Sequence, residues 1–212
     1  MARRADGKLA AALAQLREAL DASRAPWMCI GGIAVIAQGV RRTTTDIDAT
    51  LRAEGIDLDA LIRLFARHGI RPRIANASAF ARKSQVLLLE HAATGVELDV
   101  SLAWLSFEHE ALAAHAIVDF AGVKAPMARP EDLLIYKLFA ARPQDLKDAE
   151  TLLLLHRARI DLARVRRILE QLAEMSDEPA VANRLDEMVA RRSAPRTRGT
   201  PPLRKPRRPP RS

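Results

Sequence analysis

The chain of 212 residues is poor in cysteine and in aromatic residues. With one cysteine, Cys29, no disulfide framework and no cysteine-based zinc cluster can form within the chain, which fits a reducing compartment. One Tyr and two Trp leave no aromatic interleaving for stacking the bases of a single strand. No apolar run approaches the ~18 residues of a membrane span. The opening Met-Ala-Arg-Arg leads into Leu9, Leu13, Leu16 and Leu20 at helical spacing, so an amphipathic helix is expected there, not a signal peptide. The expected location is the cytoplasm. The five histidines, His68, His91, His109, His115 and His156, show no metal-ligand spacing, Glu108-His109-Glu110 looks like a solvated helix start, and Cys29 reads as a core residue of an apolar strand.

Acidic residues are missing from the end of the chain. Residues 191–212 hold nine Lys+Arg, no Asp or Glu, and six of the twelve prolines. The net charge of +8 therefore describes this tail, because residues 1–190 hold 25 basic and 26 acidic groups. Such a segment cannot bury a core and is expected to be disordered. Two readings of it stay open: a passive solvated extension, or an arm that contacts nucleic acid through sequence-independent phosphate contacts. The chain as a whole is 49% hydrophobic, enough to build a core.

Local patterns give the order of elements. A helix is expected over 5–23, a buried strand at Trp27–Ile30, and a break at Gly31-Gly32. A short helix over 33–38 should follow, then a Thr-rich strand from Arg41 to Leu51. Leu58, Leu61, Ile62 and Phe65 predict a second amphipathic helix. Two hairpins are expected, 84–90 with 96–102 and 117–120 with 123–127. Pro130 and Pro143 open two helices, and two more are expected near 161–174 and 178–191. The fold class is α+β (mixed α/β): a small mixed sheet flanked by helices, a C-terminal helical bundle and the tail. The expected divisions are a core over 1–128, a helical part over 129–190, and the tail over 191–212.

Three carboxylates stand out. Residues two apart on a strand share a face, so Asp46, Asp48 and Thr50 point one way while Ile47, Ala49 and Leu51 point the other. Likewise Glu97, Asp99 and Ser101 oppose Val96, Leu98, Val100 and Leu102. If the strands are neighbours, Asp46, Asp48 and Asp99 converge, and carboxylates held so close repel unless protonated or bridged by cations. Oxygen-only ligands suit Mg²⁺ or Mn²⁺. The plainer reading is a solvated polar face, and Glu97 shares that face, so spacing alone does not fix the third carboxylate. Gly31-Gly32, fourteen residues before Asp46, is either an ordinary turn or a place where backbone approaches a phosphate. Lys137 lies at the edge of the Leu134/Leu138/Ala141 stripe, as a snorkelling lysine or as an anion contact. Asp145 and Asp148 share a face in the first turns of the next helix, where acids also serve the helix dipole.

The ordered set Gly31-Gly32, Asp46-Ile47-Asp48 and Asp99 between apolar neighbours resembles the DNA polymerase β-like nucleotidyltransferase superfamily. Ile30 to Ala49 with Pro130-Glu131-Asp132-Leu133-Leu134-x-x-Lys137-Leu138 and Arg142-x-x-Asp145-x-x-Asp148 looks like its AbiEii-like branch, which contains toxins of abortive-infection and type IV toxin–antitoxin systems. The resemblance covers residues 25–155. It implies that Asp46, Asp48 and Asp99 hold Mg²⁺ (or Mn²⁺) and that Gly31, Gly32, Thr45 and Lys137 bind an NTP. It also implies catalytic roles for Asp46, Asp48, Asp99, Lys137 and Asp145, with Asp148 in support. The implied reaction passes a nucleoside monophosphate from the NTP to an acceptor hydroxyl. The expected partners are the NTP, an acceptor such as tRNA or a protein, and an antitoxin, with no membrane. An aminoglycoside-like small-molecule acceptor and a catalytically silent nucleotide-binding protein stay open as alternatives.

Overall fold

The computed structural model describes residues 2–193. In chain order the elements are α1 (Ala2–Ser23), β1 (Trp27–Ile30), α2 (Gly31–Ala37), β2 (Asp46–Leu51), α3 (Leu58–Arg67), β3 (Ile70–Pro72), α4 (Ala77–Ser84) and β4 (Val86–His91). They continue with β5 (Val96–Leu102), α5 (Ser106–Ala113), β6 (Ala116–Phe120), β7 (Val123–Met127), α6 (Pro130–Ala140), α7 (Pro143–His156), α8 (Leu162–Ser176) and α9 (Ala180–Ser193). The mixed α/β class is as expected. Among the described residues, no helix is long and apolar enough to cross a membrane.

The strands form one seven-stranded sheet in the order β3-β4-β5-β2-β1-β7-β6. β2 pairs in parallel with β5 and antiparallel with β1, and β1 pairs in parallel with β7. The other neighbours, β3/β4, β4/β5 and β6/β7, are antiparallel. The two expected hairpins are β4/β5 and β6/β7, and both returning strands keep the expected bounds. Alternation along β2 and β5 decides burial: Ile47, Ala49, Leu51, Leu98 and Val100 are fully buried, while Asp46 and Glu97 are exposed. α1 packs against β2, β5, β7 and α3, its Leu13, Leu16 and Leu20 inaccessible to water. One apolar cluster gathers the sheet with α1, α2 and α3, and a second joins Phe107 of α5 to α6, α7, α8 and α9. α6 contributes to both, with Leu133 in the first and Leu134, Ile135 and Leu138 in the second.

Several expectations shift. Gly31 and Gly32 end the strand as expected, but the helix begins on them and not at Ile33: they are the first two residues of α2. The Thr-rich strand does not begin at Arg41 but at Asp46; ahead of it the Arg42 side chain reaches Asp148 and the Thr44 hydroxyl turns onto Asp46. β3 and α4 are additional: β3 has three residues, too few to show a period. Glu108, expected in a solvated helix start, is buried, and its carboxylate accepts from the Trp104 and Leu105 backbone N–H groups and the Tyr136 hydroxyl. α9 runs to Ser193, two residues past its expected end; the rest of the expected tail lies outside the described residues.

Candidate active site

The register of β2 against β5 builds the site. Asp48 lies directly across from Asp99, and Asp46 from Glu97. Adjacent strands run about 4.8 Å apart, so four carboxylates crowd one patch of sheet. The crowding has an electrostatic signature. Burial, reinforced by the charges of Asp46 and Asp99, pushes the Asp48 carboxyl up to about 6, while Lys137 and a hydrogen bond from the Gly32 N–H pull the other way. Burial also raises the Asp99 carboxyl, against the pull of the Arg73 guanidinium.

α2 meets these carboxylates with bare backbone. Gly31 has φ +61°, and a Cβ there would overlap the Asp48 carboxylate. A Cβ on Gly32 would overlap Thr44 and come within 3.2 Å of the Arg42 guanidinium. Both glycines are therefore fixed by close approach and not merely by a turn. The Thr44 hydroxyl donates to Asp46 Oδ1 at 2.6 Å, while Thr45 stands exposed beside it.

The helical part reaches the same place. Lys137 Nζ donates to Asp145 Oδ1 at 2.7 Å and lies 3.4 Å from Asp148 Oδ2. Arg42 Nη1 bonds Asp148 Oδ2 at 2.5 Å, and Gln144 Nε2 donates to Asp148 Oδ1 at 2.9 Å. Lys137, Asp145 and Asp148 are all buried. Lys137 is thus not a snorkelling residue, and Asp145 and Asp148, in the first turns of α7, are buried against it. Lys137 also acts on Asp48 through its charge, so the cluster is electrically part of the carboxylate site. One buried atom, Asp145 Oδ2, has no hydrogen-bond partner among the described residues.

Arg73 escaped sequence reasoning. It follows the short edge strand β3 and reaches over β4 to bind Glu97 Oε2 at 2.6 Å and, by a second nitrogen, Asp99 Oδ1. Its one sequence signal is the i, i+2 relation to Arg71, which pairs with Glu90 on the same edge.

The donor chemistry suits a hard divalent cation: oxygen-only and crowded, with burial and then like charge raising the Asp48 and Asp99 carboxyls. Among the described residues, however, no three His, Cys, Asp or Glu side chains stand together as a ready metal-binding group. Asp46 is held by Thr44 and Asp99 by Arg73, so the set is assembled by the strands but not closed. Cys29 is fully buried behind Asp48, and burial raises its thiol, so it takes no part.

No curated protein matches this chain. Among solved structures, the antibiotic-resistance factor ANT(2")-Ia in complex with adenylyl-2"-tobramycin is 17% identical, covering 85% of this chain and 97% of its own, with a TM-score of 0.47. An antigenic nucleotidyltransferase-like protein from Paracoccidioides brasiliensis is 16% identical, covering 81% and 88%, with a TM-score of 0.41. The family described as nucleotidyltransferase of unknown function (DUF6036) matches residues 7–194, a span that takes in every residue of the carboxylate site and of the lysine cluster beside it. The chain belongs to this DUF6036 family of nucleotidyltransferases.

Proposed function

We propose that the protein transfers a nucleoside monophosphate from an NTP to a hydroxyl of a macromolecular acceptor, tRNA or protein. The observation that carries this reading is the juxtaposition of Asp48 with Asp99 on adjacent strands, backed by the side-chain-free Gly31 and flanked by buried Lys137. Asp46, Asp48 and Asp99 would hold Mg²⁺ or Mn²⁺. Such cations supply charge neutralisation for the triphosphate and for the attacking and leaving oxygens of an in-line displacement. The acceptor oxygen bonds the α-phosphorus, the bond to the bridging oxygen breaks, and pyrophosphate leaves. Asp99 would receive the acceptor's proton. Gly31, Gly32 and Thr45 border the phosphate side, and Lys137, oriented by Asp145 and Asp148, supplies the fixed positive charge. In this reading residues 1–128 are the catalytic unit and 129–190 the helical part that delivers Lys137 and Asp145.

The charge on the sheet edge favours a macromolecular over a polycationic small acceptor. Glu90 and Glu97, the carboxylates beyond the motif, are each paired with an arginine, Arg71 and Arg73, and offer little free negative charge. The Lys137/Asp145/Asp148 arrangement supports the AbiEii-like reading, in which the protein is the toxin partner of an antitoxin.

The test is a transfer assay: protein with Mg²⁺, each α-labelled NTP in turn, and total RNA plus cell extract, beside Asp46→Ala/Asp48→Ala. Label on RNA or protein with wild type alone supports the reading. Label on a small cationic acceptor alone would replace its macromolecular half, and NTP binding with no transfer to any acceptor would point to a silent binding domain.

A further inference from the structure

The sheet carries one row of residues across four strands and the edge. The Arg73 N–H bonds the Leu88 carbonyl, Leu88 lies across from Asp99, Asp99 from Asp48, and Asp48 from Ile30. Arg73 thus extends over Leu88 onto the very carboxylate that faces Asp48. Its only side-chain partners among the described residues are Glu97 and Asp99. Its Nε is buried and has no acceptor. The guanidinium is therefore held along one edge by two carboxylates, and nothing else retains it there. Asp99, in turn, is the one member of the three whose carboxylate carries a fixed cation.

We propose that Arg73 is a tethered cation that occupies Asp99 while the site is metal-free, and that divalent-cation loading displaces it, so that Arg73 and the metal compete for the same carboxylate. The inference rests on the reading of Asp46, Asp48 and Asp99 as the cation site. Asp99 faces Asp48 across the strands, and its Oδ1 is already taken by Arg73. The physics is direct. Four carboxylates, Asp46, Asp48, Glu97 and Asp99, would repel strongly if left bare, and a side-chain guanidinium offsets part of that repulsion without needing an ion from solution. A divalent ion brings twice the charge, and to coordinate Asp99 Oδ1 it must strip the guanidinium from that oxygen. Arg73 is a positioning residue in this account: it sets where Asp99 points and how tightly the metal binds.

The test is Mn²⁺ binding, read by electron paramagnetic resonance and by calorimetry, in wild type, Arg73→Gln and Arg73→Lys. Loss of the competing charge is expected to tighten Mn²⁺ binding about tenfold in Arg73→Gln, with Arg73→Lys nearer wild type. Asp48→Asn serves as the control that removes the site. A readout needing no substitution accompanies these: in wild type, Mg²⁺ should shift the Arg73 Nε–H nitrogen resonance as the side chain leaves its carboxylates. Unchanged or weaker Mn²⁺ binding in a folded Arg73→Gln, or an Arg73 resonance blind to saturating Mg²⁺, would overturn the proposal and make Arg73 a fixed strut for Asp99. Mn²⁺ binding that survives Asp48→Asn, or no Mn²⁺ binding in any of the proteins, would overturn the cation-site reading itself.

Discussion

Gly31 and Asp48 leave no room between them for a side chain: a Cβ on residue 31 would coincide with the Asp48 carboxylate. Residue 31 also holds φ +61°, a conformation other residues avoid. Gly31→Ala should therefore be penalised twice. Equilibrium urea unfolding is expected to show a loss of about 1–3 kcal/mol from backbone strain alone, and the displaced Asp48 should cost most of the transfer activity. A Gly31→Ala protein with wild-type stability and rate would contradict this packing.

Asp48 carries a cost in the metal-free protein that pH should expose. Its carboxyl titrates at about 6 when folded, above its ordinary 3.8, so the folded state holds the proton more tightly than the unfolded chain does. The stability tied to that proton is fully present below pH 3.8 and is lost as pH rises through 6. Asp48→Asn removes the titration. Without divalent cations the variant should melt a few degrees above wild type at pH 8, and the gap should close towards pH 4. Thermal melts with chelator, across that pH range, check this; a gap independent of pH would refute it.

Lys137 sits buried between Asp145 and Asp148. Lys137→Met strands buried negative charge, a change expected to cost about 3–5 kcal/mol. Adding Asp145→Asn to it should recover part of that loss without restoring nucleotide transfer. Chemical denaturation read beside kcat and KM for the NTP separates the two effects. If the double variant regained activity as well as stability, Lys137 would be a structural residue only.

Tyr136 offers a control in the same helix. Its hydroxyl donates to Glu108, whose carboxylate also takes the Trp104 and Leu105 N–H groups. Tyr136→Phe is expected to cost about 1 kcal/mol while leaving transfer kinetics near wild type, because the hydrogen bond it loses is to Glu108 of α5 and not to a carboxylate of the site. Loss of activity beyond loss of folded protein would place Tyr136 in the machinery.

Much of this was legible in the sequence for local reasons. Period-two alternation put Asp46 and Asp48 on one face of β2 and Asp99 on the polar face of β5, whatever the strands' neighbours. Pro130 and Pro143 fixed the starts of α6 and α7 because proline tolerates a first helical turn and little else. Apolar spacing alone identified α1 and α3. Other features carry no local signal. Whether Asp46 faces Glu97 or Asp99 is a question of register between strands 45 or more residues apart, and alternation is blind to it. Arg42 reads as a strand residue until Asp148, 106 positions away, takes its guanidinium. Glu108 reads as solvated until Tyr136 covers it. Residues 194–212 were legible only as charge and proline.

By itself, then, the sequence determined which side chains share a face and which glycines and carboxylates come in order along the chain, because periodicity and backbone chemistry act over a few residues. The tertiary structure decided the rest. It set Asp48 against Asp99, folded α6 and α7 back so that Lys137 acts on that pair, and swung Arg73 from an edge strand onto Asp99. Those contacts join segments far apart in the chain, and only the packing of the whole sheet against its helices settles which charges meet.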